Sequence, residues 1–136
     1  MKTPIYSAVF LDAANYAKLR KWFEDETGLP AYSSPKNPHM TIAFRPTLEE
    51  VEALPLGRKV TLSVVAVAED DDLQAVEVSG FPSKNPIPHI TLGTTKRVDS
   101  VLSQNLLNGG RAKVRGPRLV GTVGYFDGSG IRFDLD

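Results

Sequence analysis

The chain has two histidines, and both lie in the same local frame: Pro38-His39-Met40-Thr41-Ile42-Ala43-Phe44 and Pro88-His89-Ile90-Thr91-Leu92-Gly93-Thr94. In each, proline precedes the ring and threonine follows two residues later. If each stretch is a β-strand, alternation puts His and Thr on one face and sends Met40, Ile42, Ile90 and Leu92 the other way, into a core. With 10 prolines and 9 threonines in 136 residues, random composition produces this matched pair about once in forty thousand chains. An imidazole that titrates near neutrality beside a hydroxyl, supplied twice, suits phosphate-ester chemistry without a metal.

The remaining composition narrows the setting. A chain of 136 residues with 41 % hydrophobic content is expected to form a single domain over residues 1–136 and to bury roughly two thirds of its unfolded surface. The absence of cysteine excludes a disulfide framework, a thiolate nucleophile and a Cys-ligated zinc site. The first residues are too short an apolar run, interrupted at Asp12, for a signal peptide or membrane span, so a cytoplasmic protein without a membrane partner is expected. Sixteen basic residues balance sixteen acidic ones, which leaves no net field to hold a long polyanion. A small nucleotide or an RNA end is therefore a more natural partner than extended nucleic acid.

Local patterns set the elements. Ile5 to Leu11 is a strand-length apolar run, and Asp12 follows as the N-cap of a helix over Ala13 to about Thr27, closed by Gly28 and Pro30. Tyr16, Leu19 and Phe23 form its core stripe, with Trp22 beside them. Thr47-Leu48-Glu49-Glu50 is a capping box for a short helix. Val60 to Ala68 and Leu73 to Ser79 are strands joined by Asp70-Asp71-Asp72, a solvated turn without calcium-loop spacing. Val98 to Leu107 predicts an amphipathic helix through Val98, Val101, Leu102 and Leu106, ended by Gly109-Gly110. Leu119 to Phe126 and Ile131 to Leu135 bracket a hairpin turn at Asp127-Gly128-Ser129-Gly130, which lacks the following helix of a phosphate-binding loop.

The approaches to the two histidines also agree: Lys36-Asn37-Pro38 precedes His39, and Lys84-Asn85-Pro86 precedes Ile87-Pro88-His89. Each half pairs a motif strand with a helix. This suggests two pseudo-equivalent lobes with the motif strands facing across a cleft, rather than a repeat array.

At these residues the sequence resembles the two-histidine (2H) phosphoesterase superfamily, defined by two His-x-Thr/Ser-hydrophobic motifs. His39-Met40-Thr41-Ile42 and His89-Ile90-Thr91-Leu92 match them, and the order of elements covers nearly the whole chain. The resemblance implies an α+β, bilobal, pseudo-twofold duplicated fold, with two antiparallel sheets forming a central cleft flanked by helices. It implies a phosphodiesterase with His39, Thr41, His89 and Thr91 as catalytic residues. One imidazole would take a proton from water and the other would give one to the departing ribose oxygen of a 2′,3′-cyclic phosphate, while the threonines hydrogen-bond the non-bridging oxygens. Two histidines without a third ligand make a poor zinc site, and no metal or cofactor is expected.

Candidate substrate contacts are Tyr6 on the first strand, with Phe81 and Lys84 in the second approach loop. Lys36, Tyr32 and Tyr125 are weaker alternatives, each with an ordinary surface or core role available. Two other functions remain open: degradation of cyclic oligonucleotide signals, and a non-catalytic nucleotide-binding module. A monomer is expected.

Overall fold

The structure is a computed structural model that describes residues 3–95 and 102–135. Its elements follow the order β1 (Tyr6–Leu11), α1 (Ala13–Thr27), β2 (His39–Phe44), α2 (Leu48–Glu52), β3 (Lys59–Glu69), β4 (Leu73–Ser79), β5 (His89–Thr94), α3 (Ser103–Asn108), β6 (Ala112–Lys113), β7 (Arg118–Phe126) and β8 (Ile131–Arg132).

Local chemistry explains the ends of these elements. Asp12 accepts a 2.8 Å hydrogen bond from the Asn15 amide at the start of α1, and Gly28 closes that helix at φ +71°, a conformation that costs a side-chain-bearing residue strain. Thr47 and Glu50 form the reciprocal capping box of α2. Asp70 accepts from the amides of Asp72 and Leu73, so the acidic triplet is a hairpin turn. Asp127 plays the same part for Ser129 and Gly130 between β7 and β8. Of the anticipated helix over Val98 to Leu107, the first part, including Val98 and Val101, lies outside the described residues. In α3 Leu107 is buried and Leu106 packs, partly buried, against the same cluster, while Leu102, just before the helix, is exposed.

The bilobal α+β arrangement with two sheets and a twofold duplication is not what these strands build. The chain is mostly β, with three short helices among the described residues, and its strands form one antiparallel sheet in the order β6-β3-β4-β5-β2-β1-β7-β8. A further pairing of β3 with β7 closes the six long strands into a barrel. Two features account for the difference. β2 and β5 pair with each other through Met40 and Ile90 instead of facing each other from separate lobes. β3 is 11 residues long, so Lys59 to Ser63 pairs with β7 while Ser63 to Glu69 pairs with β4. A strand shared in this way removes the free edges that two open sheets would leave.

The barrel interior is filled by alternating residues: Val9 and Leu11 of β1, Met40 and Ile42 of β2, Leu62 and Val64 of β3, Val76 and Val78 of β4, Ile90 and Leu92 of β5, and Leu119 and Val123 of β7. Tyr16, Leu19 and Phe23 of α1 join this cluster, and the Tyr16 hydroxyl donates to the Leu92 carbonyl at 2.5 Å. A smaller cluster outside the barrel joins Leu107 of α3 to Ala68, Ala75 and Ile87. Among the described residues, no helix is long and apolar enough to cross a membrane.

Both motif strands carry an extra residue at the same place. Ser7 faces Ala43 while Ala8 faces Thr41, which inserts Ile42 as a bulge in β2. Gln74 faces Gly93 while Ala75 faces Thr91, which inserts Leu92 in β5. Next to that second bulge, a Cβ on Gly93 would lie 2.9 Å from the backbone carbon and oxygen of Tyr32, too close for an ordinary contact. Gly93→Ala is therefore expected to destabilise the fold by about 1–3 kcal/mol through overpacking, read as a lower urea midpoint with an unchanged slope.

Candidate active site

Because Met40, Ile42, Ile90 and Leu92 point into the barrel, the alternate residues of β2 and β5 lie on its outer face. Antiparallel continuation from the Met40–Ile90 pair sets His39 across from Thr91 and Thr41 across from His89. The flanking strands extend the rows. Phe10 and Ala8 of β1 face His39 and Thr41, and Glu77 and Ala75 of β4 face His89 and Thr91.

Contact between β2 and β5 is short for reasons the sequence supplies. Pro38 and Pro88 have no N–H to donate, and their carbonyls are taken by outer neighbours: Leu11 donates to Pro38 at 3.0 Å and Val78 to Pro88 at 2.9 Å. Beyond Thr41 the second approach loop replaces β5. The Ser83 hydroxyl donates to the Thr41 carbonyl at 2.7 Å, and the Lys84 amide donates to that of Ile42 at 2.8 Å. The strands therefore meet at one residue pair and part, and a cleft of about 390 Å³ opens over the seam.

That cleft is lined by His39, Thr41, His89 and Thr91, together with Ile5, Tyr6, Pro35, Asn37, Phe44, Asn85 and Gln104. The two rings are held in the same way. Nδ1 of His39 hydrogen-bonds the carbonyl of Asn37, and Nδ1 of His89 hydrogen-bonds that of Ile87 at 2.7 Å. In each case the acceptor lies two residues upstream, across the proline. A carbonyl can only accept, so Nδ1 carries the proton in both neutral rings and Nε2 keeps its lone pair.

Their surroundings differ. Tyr6 stacks on His39 with ring centroids 4.6 Å apart, and Phe10 lies at 5.7 Å. Thr91 shares a 2.7 Å hydroxyl–hydroxyl hydrogen bond with the buried Ser103 at the start of α3. Glu77, beside His89 in the ladder, is engaged by Arg111 at 2.5 Å, so its charge is matched.

Burial dominates the electrostatics. It lowers both imidazole pKa values below the ordinary 6.5, against the opposing bonds to Asn37 and Ile87. For His39, the positive charge that His89 can carry lowers it further. Burial raises the Tyr6 phenol, and a side-chain hydrogen bond with Asn37 opposes the rise.

The structure gathers His39, Thr41, His89, Thr91 and Tyr6 into one place. Phe81 is packed against the barrel core and Lys84 is ion-paired with Glu50; neither lines the cleft. Lys36 borders a separate hollow with Tyr16 and Pro38, Tyr32 donates to the Asp70 carbonyl, and Tyr125 is buried. In the two Lys-Asn-Pro approaches, it is the asparagines, Asn37 and Asn85, that reach the cleft. The repeat contained that signal, but the lysine charge drew the expectation. Gln104 carried no mark in the sequence, since its place depends on where α3 docks. Phe44 was masked by the bulge: strict alternation would have put it in the core with Met40 and Ile42. Among the described residues, no three His, Cys, Asp or Glu side chains gather to hold a metal ion.

No protein-family model matches the chain, and no curated protein matches it by sequence. The site's chemistry thus rests on its own residues.

Lowered histidine pKa values make stability depend on pH in a definite sense. The unfolded chain takes up protons near pH 6.5, whereas the folded chain resists them until lower pH, so acidification through and below 6.5 favours unfolding. Urea midpoints measured from pH 7.5 to 5 are expected to fall, and the fall should be smaller in His39→Gln, which keeps only the His89 imidazole to protonate.

Proposed function

We propose that the protein is a phosphodiesterase that opens a cyclic phosphate on a nucleotide or an RNA end by paired histidine acid–base catalysis, the reaction of the two-histidine family its motifs resemble. One observation carries the reading: both Nδ1 atoms are tied to upstream carbonyls, which leaves two Nε2 atoms for the same cleft beside two threonines. A structural histidine would need only one such anchor; two matched rings over one cavity supply an acid and a base.

The chemistry follows from that pairing. A neutral imidazole takes a proton from water as the water oxygen attacks phosphorus. The other, protonated, imidazole gives its proton to the ribose oxygen as the P–O bond breaks, and solvent restores both rings. The hydroxyls of Thr41 and Thr91 donate to the non-bridging oxygens, where negative charge grows in the transition state. Mutual repulsion between the rings supports the singly protonated pair that this scheme needs, because the second proton is harder to add than the first.

Hydrolysis of 2′,3′-cyclic mononucleotides in EDTA is the direct test. His39→Ala and His89→Ala are each expected to lower kcat/KM by roughly a hundredfold or more. Both free-enzyme pKa values are lowered, so the two limbs of the pH profile belong below the ordinary imidazole value, with kcat/KM declining above about pH 6.5. Full activity in either alanine variant rules the scheme out. Tight nucleotide binding with no product after long incubation would instead identify a binding module.

A further inference from the structure

We infer that Ser103 is a positioning residue for the second triplet: its hydroxyl donates to Oγ1 of Thr91 and thereby turns the single Thr91 proton into the cleft. This deepens the phosphodiesterase reading and rests on it for the role of Thr91 at phosphate.

The two hydroxyl oxygens lie 2.7 Å apart, and by distance alone either is able to donate. Burial decides the direction. Ser103 is fully enclosed, at 0 % exposure, and Thr91 is the one hydrogen-bond partner of its hydroxyl among the described residues. Were Thr91 to give its proton to Ser103, the Ser103 proton would be left without an acceptor inside the protein, and a buried donor without a partner is costly. Thr91 is half-buried and lines the cleft, so its own proton has an open side to turn to. A threonine hydroxyl has one proton and two lone pairs. A lone pair aimed at Ser103 keeps the proton off that side, and the incoming bond polarises the Thr91 O–H toward whatever accepts from it.

Packing brings Ser103 to this place. It opens α3, and Leu107 follows one turn later on the same helix face. Leu107 packs with Ala68 and Ala75, and Ala75 is the residue across from Thr91 in the β4–β5 ladder. The leucine docks the helix beside Thr91, and the serine one turn earlier reaches its hydroxyl. Gln104, the next residue, accepts from the Ile87 amide at 3.3 Å, and the Ile87 carbonyl is the anchor of His89. The first turn of α3 therefore supports both groups of the β5 triplet.

The β2 triplet has no such support. The serine that reaches it, Ser83, gives its proton to the Thr41 carbonyl at 2.7 Å, and the Thr41 hydroxyl has no hydrogen-bond partner among the described residues. Thr91 is a preset donor, whereas Thr41 is a free rotor.

In hydrolysis of a 2′,3′-cyclic mononucleotide, Ser103→Ala is expected to lower kcat about three- to tenfold with little change in KM, because Thr91 regains its other staggered hydroxyl positions and loses the polarising bond. Ser103→Cys, which fills the same space with a weak donor, should fall with alanine. In a Thr91→Val background Ser103→Ala should cost nothing further, whereas in Thr41→Val it should cost its full factor; a loss of packing would be felt in both. An unchanged or faster kcat in Ser103→Ala, full rate in Ser103→Cys, or an equal loss in both backgrounds overturns the role. Urea midpoints test the direction of the bond without turnover. Thr91→Val leaves the buried Ser103 proton without an acceptor and should lower the midpoint, and adding Ser103→Ala should recover part of the loss. If the wild type hydrolyses no cyclic phosphate, the reaction is wrong while the midpoints still decide the bond. Additive midpoints would overturn it.

Discussion

Met40 and Ile90 meet at the seam between β2 and β5, and this contact has two consequences at once. On the inner face it places two buried side chains in the barrel core and helps to close the sheet. On the outer face it brings the two His-x-Thr triplets into crossed register. Because the strands touch at one pair and then part, the triplets lie at the floor of a cleft instead of on a continuous ladder. A longer β2–β5 pairing would strengthen the sheet and close the cleft.

The prolines and the second approach loop keep the seam short. Pro38 and Pro88 cannot extend the ladder, while Ser83 and Lys84 take the carbonyls of Thr41 and Ile42. The same prolines set the orientation of the two rings, since each carbonyl that anchors a ring comes from the residue before a proline in its approach loop. Pro38 follows Asn37 directly, and Pro88 follows Ile87. The recurring Pro-His-x-Thr frame is thus one local device: it ends the pairing, fixes the tautomer and alternates the hydroxyl onto the ring's face.

Asymmetry enters only through what surrounds that device. On the β2 side, Tyr6 and Phe10 pack on His39 and Tyr6 lines the cleft, while the bulge in β2 brings Phe44 into the lining as well. On the β5 side, α3 brings Gln104 into the lining and Ser103 onto Thr91, while Arg111, just beyond it, reaches Glu77. Like rings in unlike walls differ in how readily each holds a proton, because desolvation and nearby charge act on each ring separately.

The sequence by itself determined whatever depends on near neighbours along the chain. The caps at Asp12 and Thr47, the aspartate turns, the apolar alternation of β3 and the shared face of His39 with Thr41 and of His89 with Thr91 all follow from interactions a few residues long. Tertiary structure alone decided which strands pair. The lobes inferred from the Lys-Asn-Pro repeat gave way to one barrel because β3 has the length to serve two partners and β2 chose β5, and pairings between distant segments leave no local trace. The same reason explains the contacts. Phe81 and Lys84 stood near the motif in sequence, yet the core and Glu50 took them, whereas a one-residue register shift carried Phe44 across the sheet into the cleft.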